Sequence, residues 1–297
     1  MKKVKELIEN EIIKIFRRKN IYILLLIGIL MIVGYSIVQK ITNPKVDDIV
    51  KQYEKGYERD KLYLEYQKNI DDEKYEEIVE RMALEKYAFE NNIQYNILLN
   101  TENTNAPVPK DARIILMKIF DNFEIIFVFI VIVISSTIIS EEYNKGTIKN
   151  LFVKPHKRTK IMCSKIITNI FLVIIIIVCM FLLQYIVGGL IFGFDSYNLD
   201  AIIYNKSSQN IDVMNLTYYM LNLIINKISL YILLIAISIL LSTFTSNIAL
   251  NILISLGIYI IFNYYNIAYS PIILIVFAII IDILSLIIFQ KKDIKNE

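Results

Sequence analysis

Four stretches of this chain carry no charged residue at all: Ile21 to Gln39 (19 residues), Ile125 to Ser140 (16), Ile166 to Phe194 (29) and Ile228 to Ile281 (54). A helix that crosses a bilayer needs about 20 apolar residues in a row, so these runs constrain the fold before anything else is known. They account for a mean hydropathy of +0.51 and a hydrophobic content of 56%, too apolar for the surface of a soluble protein. A soluble enzyme is excluded.

The first run follows a basic start but is too long for the apolar core of a cleaved leader, and no A-x-A site follows it, so it reads as an uncleaved span at 20–38. The longest run is divided by polar interruptions at Thr243, Ser246 and Asn247, and again at Asn263 to Asn266 before Pro271. The expectation is six spans, at 20–38, 119–140, 166–192, 219–242, 247–264 and 271–290. Flanking Lys and Arg set the orientation. Residues 1–19 carry seven, residues 141–165 carry seven, and the 291–297 tail carries Lys291, Lys292 and Lys295. With six spans these segments share one side, which predicts both termini in the cytoplasm. Residues 40–118 hold 13 basic and 16 acidic groups, as expected of an outer segment.

Within residues 1–19, Val4, Leu7, Ile8, Ile12, Ile15 and Phe16 recur at helical spacing, with Lys5, Glu6, Glu9, Lys14 and Arg17 opposite, so an interfacial helix is predicted there. The 39–118 segment is far longer than an ordinary connection and has two apolar stripes. One is Ile49, Tyr53, Tyr57 and Leu64; the other is Tyr75, Val79, Met82, Phe89, Ile93 and Ile97. An extracytoplasmic antiparallel helical hairpin is expected, closed by a turn at Asn69 to Asp72 and followed by an extended return containing Pro107 and Pro109. Residues 193–218 read as an extracytoplasmic loop.

Three charged residues of the spans, Glu124, Lys227 and Asp282, are candidates for pairing. Asp282 lies midway along the last span, where an ionised carboxylate costs about 2.5–3.5 kcal/mol. Lys227 and Asp282 sit at similar depths, roughly 12 and 16 Å below the outer ends of their helices, so the two can pair. Glu124 is the competing partner. Asn169, Asn222, Asn226, Asn251 and Ser255 are candidates for hydrogen bonds between spans, and Gly188, Gly189 and Gly193 for close helix approach.

Other chemistry is scarce. The single histidine, His156, removes most metal and acid–base schemes, and Cys163 and Cys179 give no disulfide framework, so no catalytic and no metal residues are assigned. Net charge of +3 gives no sign of nucleic-acid binding; the implied partner is the lipid bilayer. Glu141-Glu142 is similar to the start of an EExxxR protease motif, but Gly146 occupies the arginine position and a second histidine is lacking.

The most informative segment joins the second and third spans: Glu141-Glu142-Tyr143-Asn144-Lys145-Gly146-Thr147-Ile148-Lys149-Asn150-Leu151-Phe152-Val153-Lys154-Pro155-His156-Lys157-Arg158. Gly146 permits a chain reversal, Thr147 can cap the next helix, and Pro155 discourages continuation. A short amphipathic helix at 148–154 is expected, its apolar side (Ile148, Leu151, Phe152) suited to a groove on another protein.

This segment resembles the pattern of ABC-2 type permeases, the membrane subunits of ABC exporters: Glu142, Gly146, Thr147, Ile148, Leu151, Pro155, Arg158, Ile161 and Lys165 stand at its positions. Helix order and the place of the motif fit the same family over nearly the whole chain, and the long insert after span one is similar to the bacitracin and lantibiotic export or immunity subgroup. The resemblance implies that the 141–165 segment couples to a separate cytoplasmic ABC ATPase, with Glu142, Gly146, Thr147, Ile148, Leu151, Phe152, Pro155 and Arg158 as coupling residues. It also implies a second permease chain, identical or related, in a bacterial plasma membrane. No G-x-x-x-x-G-K-[ST] occurs, so no cofactor residue is assigned here and ATP would bind to the partner subunit. The expected class is an all-α integral membrane protein: six transmembrane helices, an N-terminal interfacial helix, an outer helical hairpin and a cytoplasmic coupling helix. The expected function is export of a hydrophobic or amphipathic substrate such as an antimicrobial peptide. A membrane sensor or accessory subunit that binds a peptide through the hairpin is the alternative.

Overall fold

The computed structural model describes residues 2–42, 49–66, 71–93, 111–148, 157–194, 199–205, 208–264 and 270–291. Among these residues there are nine helices and two strands: α1 (Lys2–Phe16), α2 (Lys19–Thr42), α3 (Ile49–Tyr66), α4 (Asp72–Glu90), α5 (Ala112–Asn144), α6 (Arg158–Phe192), β1 (Asp200–Asn205), β2 (Asn210–Asn215), α7 (Leu216–Phe244), α8 (Ile248–Tyr264) and α9 (Pro271–Lys291). Five segments are long and apolar enough to cross a membrane: Ile21–Thr42 of α2, Asn122–Asn144 of α5, and the whole of α6, α7 and α9. At 17 residues, α8 is shorter but equally apolar. Large side chains exposed along these helices, such as Leu26, Leu30, Leu182 and Leu253, are what hydrocarbon rather than water requires outside.

The chain forms two compact units. Residues 1–31, 123–182 and 223–297 make up the first, residues 32–122 and 183–222 the second.

In the first unit, hydroxyls and an amide hold α5, α7 and α8 together. Asn251 Nδ2 donates to Ser140 Oγ at 2.7 Å and to the Thr245 carbonyl at 3.3 Å, while Ser242 Oγ reaches the Ser136 carbonyl at 3.1 Å. Ser238 Oγ lies 3.2 Å from Ser255 Oγ. In an apolar medium these groups have no water to bond, so bonding each other between helices satisfies them and fixes the helix register. The break between α7 and α8 is explained locally: Asn247 Oδ1 accepts from the backbone N–H of Ala249 and Leu250, capping α8. Asn169 is fully buried, and neither of its polar side-chain atoms has a partner among the described residues.

The second unit contains the polar insert. Tyr53, Gly56 and Asp60 of α3 face Leu84, Glu85, Ala88 and Arg81 of α4 in reverse order, so the two helices are antiparallel. The buried stripes differ from those expected. Ile78, Leu84 and Ala88 line the α4 interior, whereas Tyr75 is half exposed and Val79, Met82 and Phe89 are only partly covered. The cause is charge: Asp60 and Glu85 are buried too, so an apolar-only pattern places the interface incorrectly. A Cβ at Gly56 would overlap the Glu85 carboxylate, which would have to move aside. Ile97, the 69–70 turn and the Pro107 and Pro109 segment lie outside the described residues.

The 193–218 segment, read from sequence as a loop, holds regular structure. It contains an antiparallel β-hairpin pairing Asp200 with Asn215 through to Asn205 with Asn210. Ile202 packs against Tyr53, Leu84 and Ala88, with Tyr204 and Ile211 beside them. The strands form because Ile202-Tyr204 and Ile211-Val213 alternate about a polar turn, and burying that face on α3 and α4 stabilises a ribbon that would be marginal alone. The same unit starts α5 with a buried Asp111 that accepts from the Arg113 backbone N–H at 2.7 Å and pairs with the Arg113 side chain, whose Nη1 also reaches Thr217 Oγ1 at 2.7 Å. At Gly188, a Cβ would meet the Ala112 carbonyl oxygen at 3.4 Å, an ordinary contact, so the approach there does not depend on glycine.

Candidate functional site: an ion cluster where α1, α5 and α6 meet

The motif residues of the first unit gather at the C-terminal end of α5. Glu142 projects from its last turns and accepts from Lys14 of α1 (2.9 Å) and Lys165 of α6 (2.8 Å) through the same oxygen, Oε1. Glu11, one helical turn before Lys14, takes the second arm of each cation: Lys14 at 2.8 Å and Lys165 at 2.9 Å. Lys165 is completely buried, and the Glu11 and Glu142 side chains are each 9% exposed. Two acids and two bases close a ring with no net charge, the condition under which ionised groups survive burial. Burial pushes the Glu11 carboxyl upward, but Lys165 and Lys14 outweigh it and hold the group below its ordinary value. Burial likewise opposes the charge on Lys14, yet Glu11 and Glu142 hold its ammonium above the usual range.

A second set of contacts flanks the ring. Arg18, in the turn between α1 and α2, pairs with Glu141 at 2.8 Å and donates to Thr137 Oγ1 at 2.7 Å; Lys145 also pairs with Glu141 at 2.6 Å. The chain then reverses at Gly146, whose φ of +65° is a left-handed conformation that favours glycine. The Thr147 hydroxyl turns back to donate to the Glu142 carbonyl at 3.4 Å. Ile148 is buried. On the far side of the loop, Arg158 Nη1 donates to the Gln290 carbonyl at the end of α9, at 3.1 Å. Leu151, Phe152 and Pro155, with most of the expected 148–154 helix, lie outside the described residues.

Glu11 and Lys14 were not expected as partners of Glu142. The apolar pattern assigns α1 a lipid face and a water face, yet among the described side chains those that α1 buries are Leu7, Glu11 and Ile15. Their spacing of four marks one stripe, and a Glu within it, followed by Lys three residues on, is the available signal. Phe16, expected on the lipid face, and Ile13, expected on neither face, are half exposed.

The intramembrane charges resolve differently from the Lys227–Asp282 pairing. Lys227 of α7 pairs with Glu124 of α5 at 2.5 Å, so its ammonium is already neutralised on a neighbouring helix. Asp282 Oδ1 is buried and has no hydrogen-bond partner among the described residues. Replacing Lys227 with Met should strand Glu124 in the span and lower stability by about 1–2 kcal/mol for this partly exposed pair. Adding Glu124→Gln should recover most of that loss, and comparing melting of the three purified proteins checks it. Cys163 and Cys179 are free thiols.

With this geometry in hand, comparison with known proteins is decisive for the family. The model of the ABC-2 family transporter protein matches residues 6–290, which is nearly the whole chain. The chain belongs to the ABC-2 transporter family. It is therefore a multi-pass membrane protein and a transport component of the kind that, in this family, normally works with an ATPase subunit. A 62-residue stretch, 21% of this chain, is 40% identical to the uncharacterized membrane protein YdbK of Bacillus subtilis (strain 168). That stretch spans a quarter of the length of YdbK. No solved structure matches.

Proposed function

We propose that this ABC-2 family chain is the permease subunit of an exporter whose separate ATPase engages the 141–158 segment from the cytoplasm. The observation that carries this reading is the double clamp on Glu142: one carboxylate oxygen, immediately before the Gly146 reversal, is bonded to both α1 and α6. A segment that is to pass force from a moving partner into membrane helices must be anchored to more than one of them, and this one begins at such an anchor. In this reading α8 crosses the membrane as a sixth span, both termini are cytoplasmic, and the α3–α4 and β1–β2 elements stand outside. Two permease chains would assemble with the ATPase. The substrate class is hydrophobic or amphipathic, and the outer insert favours a peptide of the antimicrobial kind by its similarity to the bacitracin and lantibiotic subgroup.

Affinity purification of the tagged chain from its native membrane in mild detergent tests the proposal. The native chain should bring down an ABC ATPase with ATP hydrolysis, and a Gly146→Pro/Leu151→Asp variant of equal membrane abundance should lose at least about 90% of both. If the native chain recovers no ATPase under conditions that preserve a known ABC complex, the coupling mechanism is wrong.

A further inference from the structure

Beside the ion ring, α2, α5 and α8 enclose a cleft that the coupling reading does not use. Its mouth is a cavity of about 750 Å³. Basic groups dominate this mouth: Lys14, Arg17, Arg18, Lys19 and Lys145, against Glu141 and Glu142. Lys14, Arg18 and Lys145 are each bonded to one of those acids, but Arg17 and Lys19 are exposed and have no charged partner among the described residues. The cleft does not end at the charges. Leu24 lines both this cavity and a second one of about 340 Å³, whose walls are wholly apolar and include Ile27, Phe129 and Ile260. Each helix contributes to both: Ile21 then Ile27 on α2, Ile134 then Ile126 on α5, and Ile248 then Ile260 on α8. From Lys19 to Ile27 the two cavities together span ~12 Å along the α2 axis, comparable with the ~15 Å hydrocarbon depth of one leaflet.

A groove that is cationic at the membrane boundary and apolar below it has the polarity of a lipid. A zwitterionic headgroup would leave the surplus positive charge uncompensated, whereas a phosphodiester with net negative charge meets it, and an arginine guanidinium can bind phosphate oxygens in pairs. We infer that this cleft holds an anionic glycerophospholipid of the leaflet adjoining α1, with its phosphate at Arg17 and Lys19 and an acyl chain running past Leu24 to Phe129. Nothing in this inference requires the ATPase or the direction of transport.

The test uses the full-length purified protein equilibrated with mixed vesicles of phosphatidylglycerol and phosphatidylcholine, then washed in detergent and weighed intact by native mass spectrometry. Phosphatidylglycerol should be retained about tenfold over phosphatidylcholine, and Arg17→Gln/Lys19→Gln should erase that preference, since these two cations supply the attraction for an anionic headgroup. Arg17→Lys/Lys19→Arg should keep it, and Leu24→Trp, which fills the apolar limb, should reduce retention of both lipids. Equal retention of the two lipids by the native protein would overturn the inference, as would a preference untouched by loss of both cations. Inorganic phosphate supplies a further arm: if millimolar phosphate raises the melting temperature as much as phosphatidylglycerol does, and Leu24→Trp leaves this unchanged, the mouth is a free-phosphate site and the lipid assignment fails. The choice between lipids by the native protein decides the matter even where a variant does not fold.

Discussion

Replacing Lys165 with Met should destabilise the protein by about 3–5 kcal/mol, the cost of leaving buried carboxylates without one of their cations. Lys165 has no solvent exposure, and it is bonded to both Glu11 and Glu142. Its removal leaves two anions sharing Lys14. The purified variant should melt well below the native protein and accumulate less in the membrane. Adding Glu11→Gln restores charge balance, because Lys14 and Glu142 remain as a pair, so the double variant should regain most of the loss. A single variant that melts within a degree of the native protein would show that the ring does not hold α1 and α6 to α5. The pH limits follow from the same contacts. Glu11 titrates below its ordinary value, so its stabilisation is present above the unfolded value and lost as pH falls through the folded one. Lys14 titrates above its ordinary value, so its contribution is complete below the unfolded value and lost as pH rises through the folded one.

The second large effect belongs to the polar insert. Glu85 is fully buried between α4 and α3, against Gly56 and near Asp60, Arg59 and Arg81. Burial first, and then the charge of Asp60, push its carboxyl up to about 7, while Arg59 and Arg81 oppose the shift. Asp60 bonds Arg59 Nε at 3.0 Å and Arg81 Nε at 2.5 Å. The Arg81 guanidinium is held above its usual value, chiefly by that hydrogen bond. A carboxyl whose folded value lies above its unfolded one favours the folded state at low pH and costs stability as pH rises between the two. The helical hairpin should therefore be most stable near pH 5 and weaken toward pH 8, by on the order of 3 kcal/mol. Glu85→Gln should flatten that dependence and make the hairpin firmer at pH 8. Amide exchange of α4 in the full-length protein, corrected for intrinsic exchange rates, reads both effects. Equal protection at pH 5 and pH 8 in the native chain would refute the buried, proton-dependent role of Glu85.

The two sites explain what the sequence could and could not convey. Spans were legible because hydrocarbon imposes a long, uncharged run, and the polar breaks at Asn247 and Pro271 fall where α8 and α9 begin. Gly146 was legible as a reversal because its φ is one that other residues avoid. Burial stripes in α1 and α4 were not, because Glu11 and Glu85 occupy positions that an apolar pattern reserves for hydrophobic side chains. A charge becomes an interior residue only through partners distant in the chain, and Glu11 meets Lys165 across 154 positions. The same holds for Lys227, whose choice of Glu124 over Asp282 depends on which helices are neighbours rather than on depth. The β-hairpin escaped because six-residue strands with mixed polarity acquire their buried face only from Tyr53, Leu84 and Ala88 elsewhere.

The amide and hydroxyl bonds among α5, α7 and α8 bear on how a displacement spreads. Asn251 reaches α5 at Ser140, less than two turns before the Gly146 reversal, and it also holds the Thr245 carbonyl in the turn between α7 and α8. That turn is stiffened twice, by Asn247 capping α8 and by Asn251 gripping Thr245, so it is a poor hinge. A pull on the end of α5 would thus be shared by three helices as one lever arm rather than absorbed at the turn between α7 and α8.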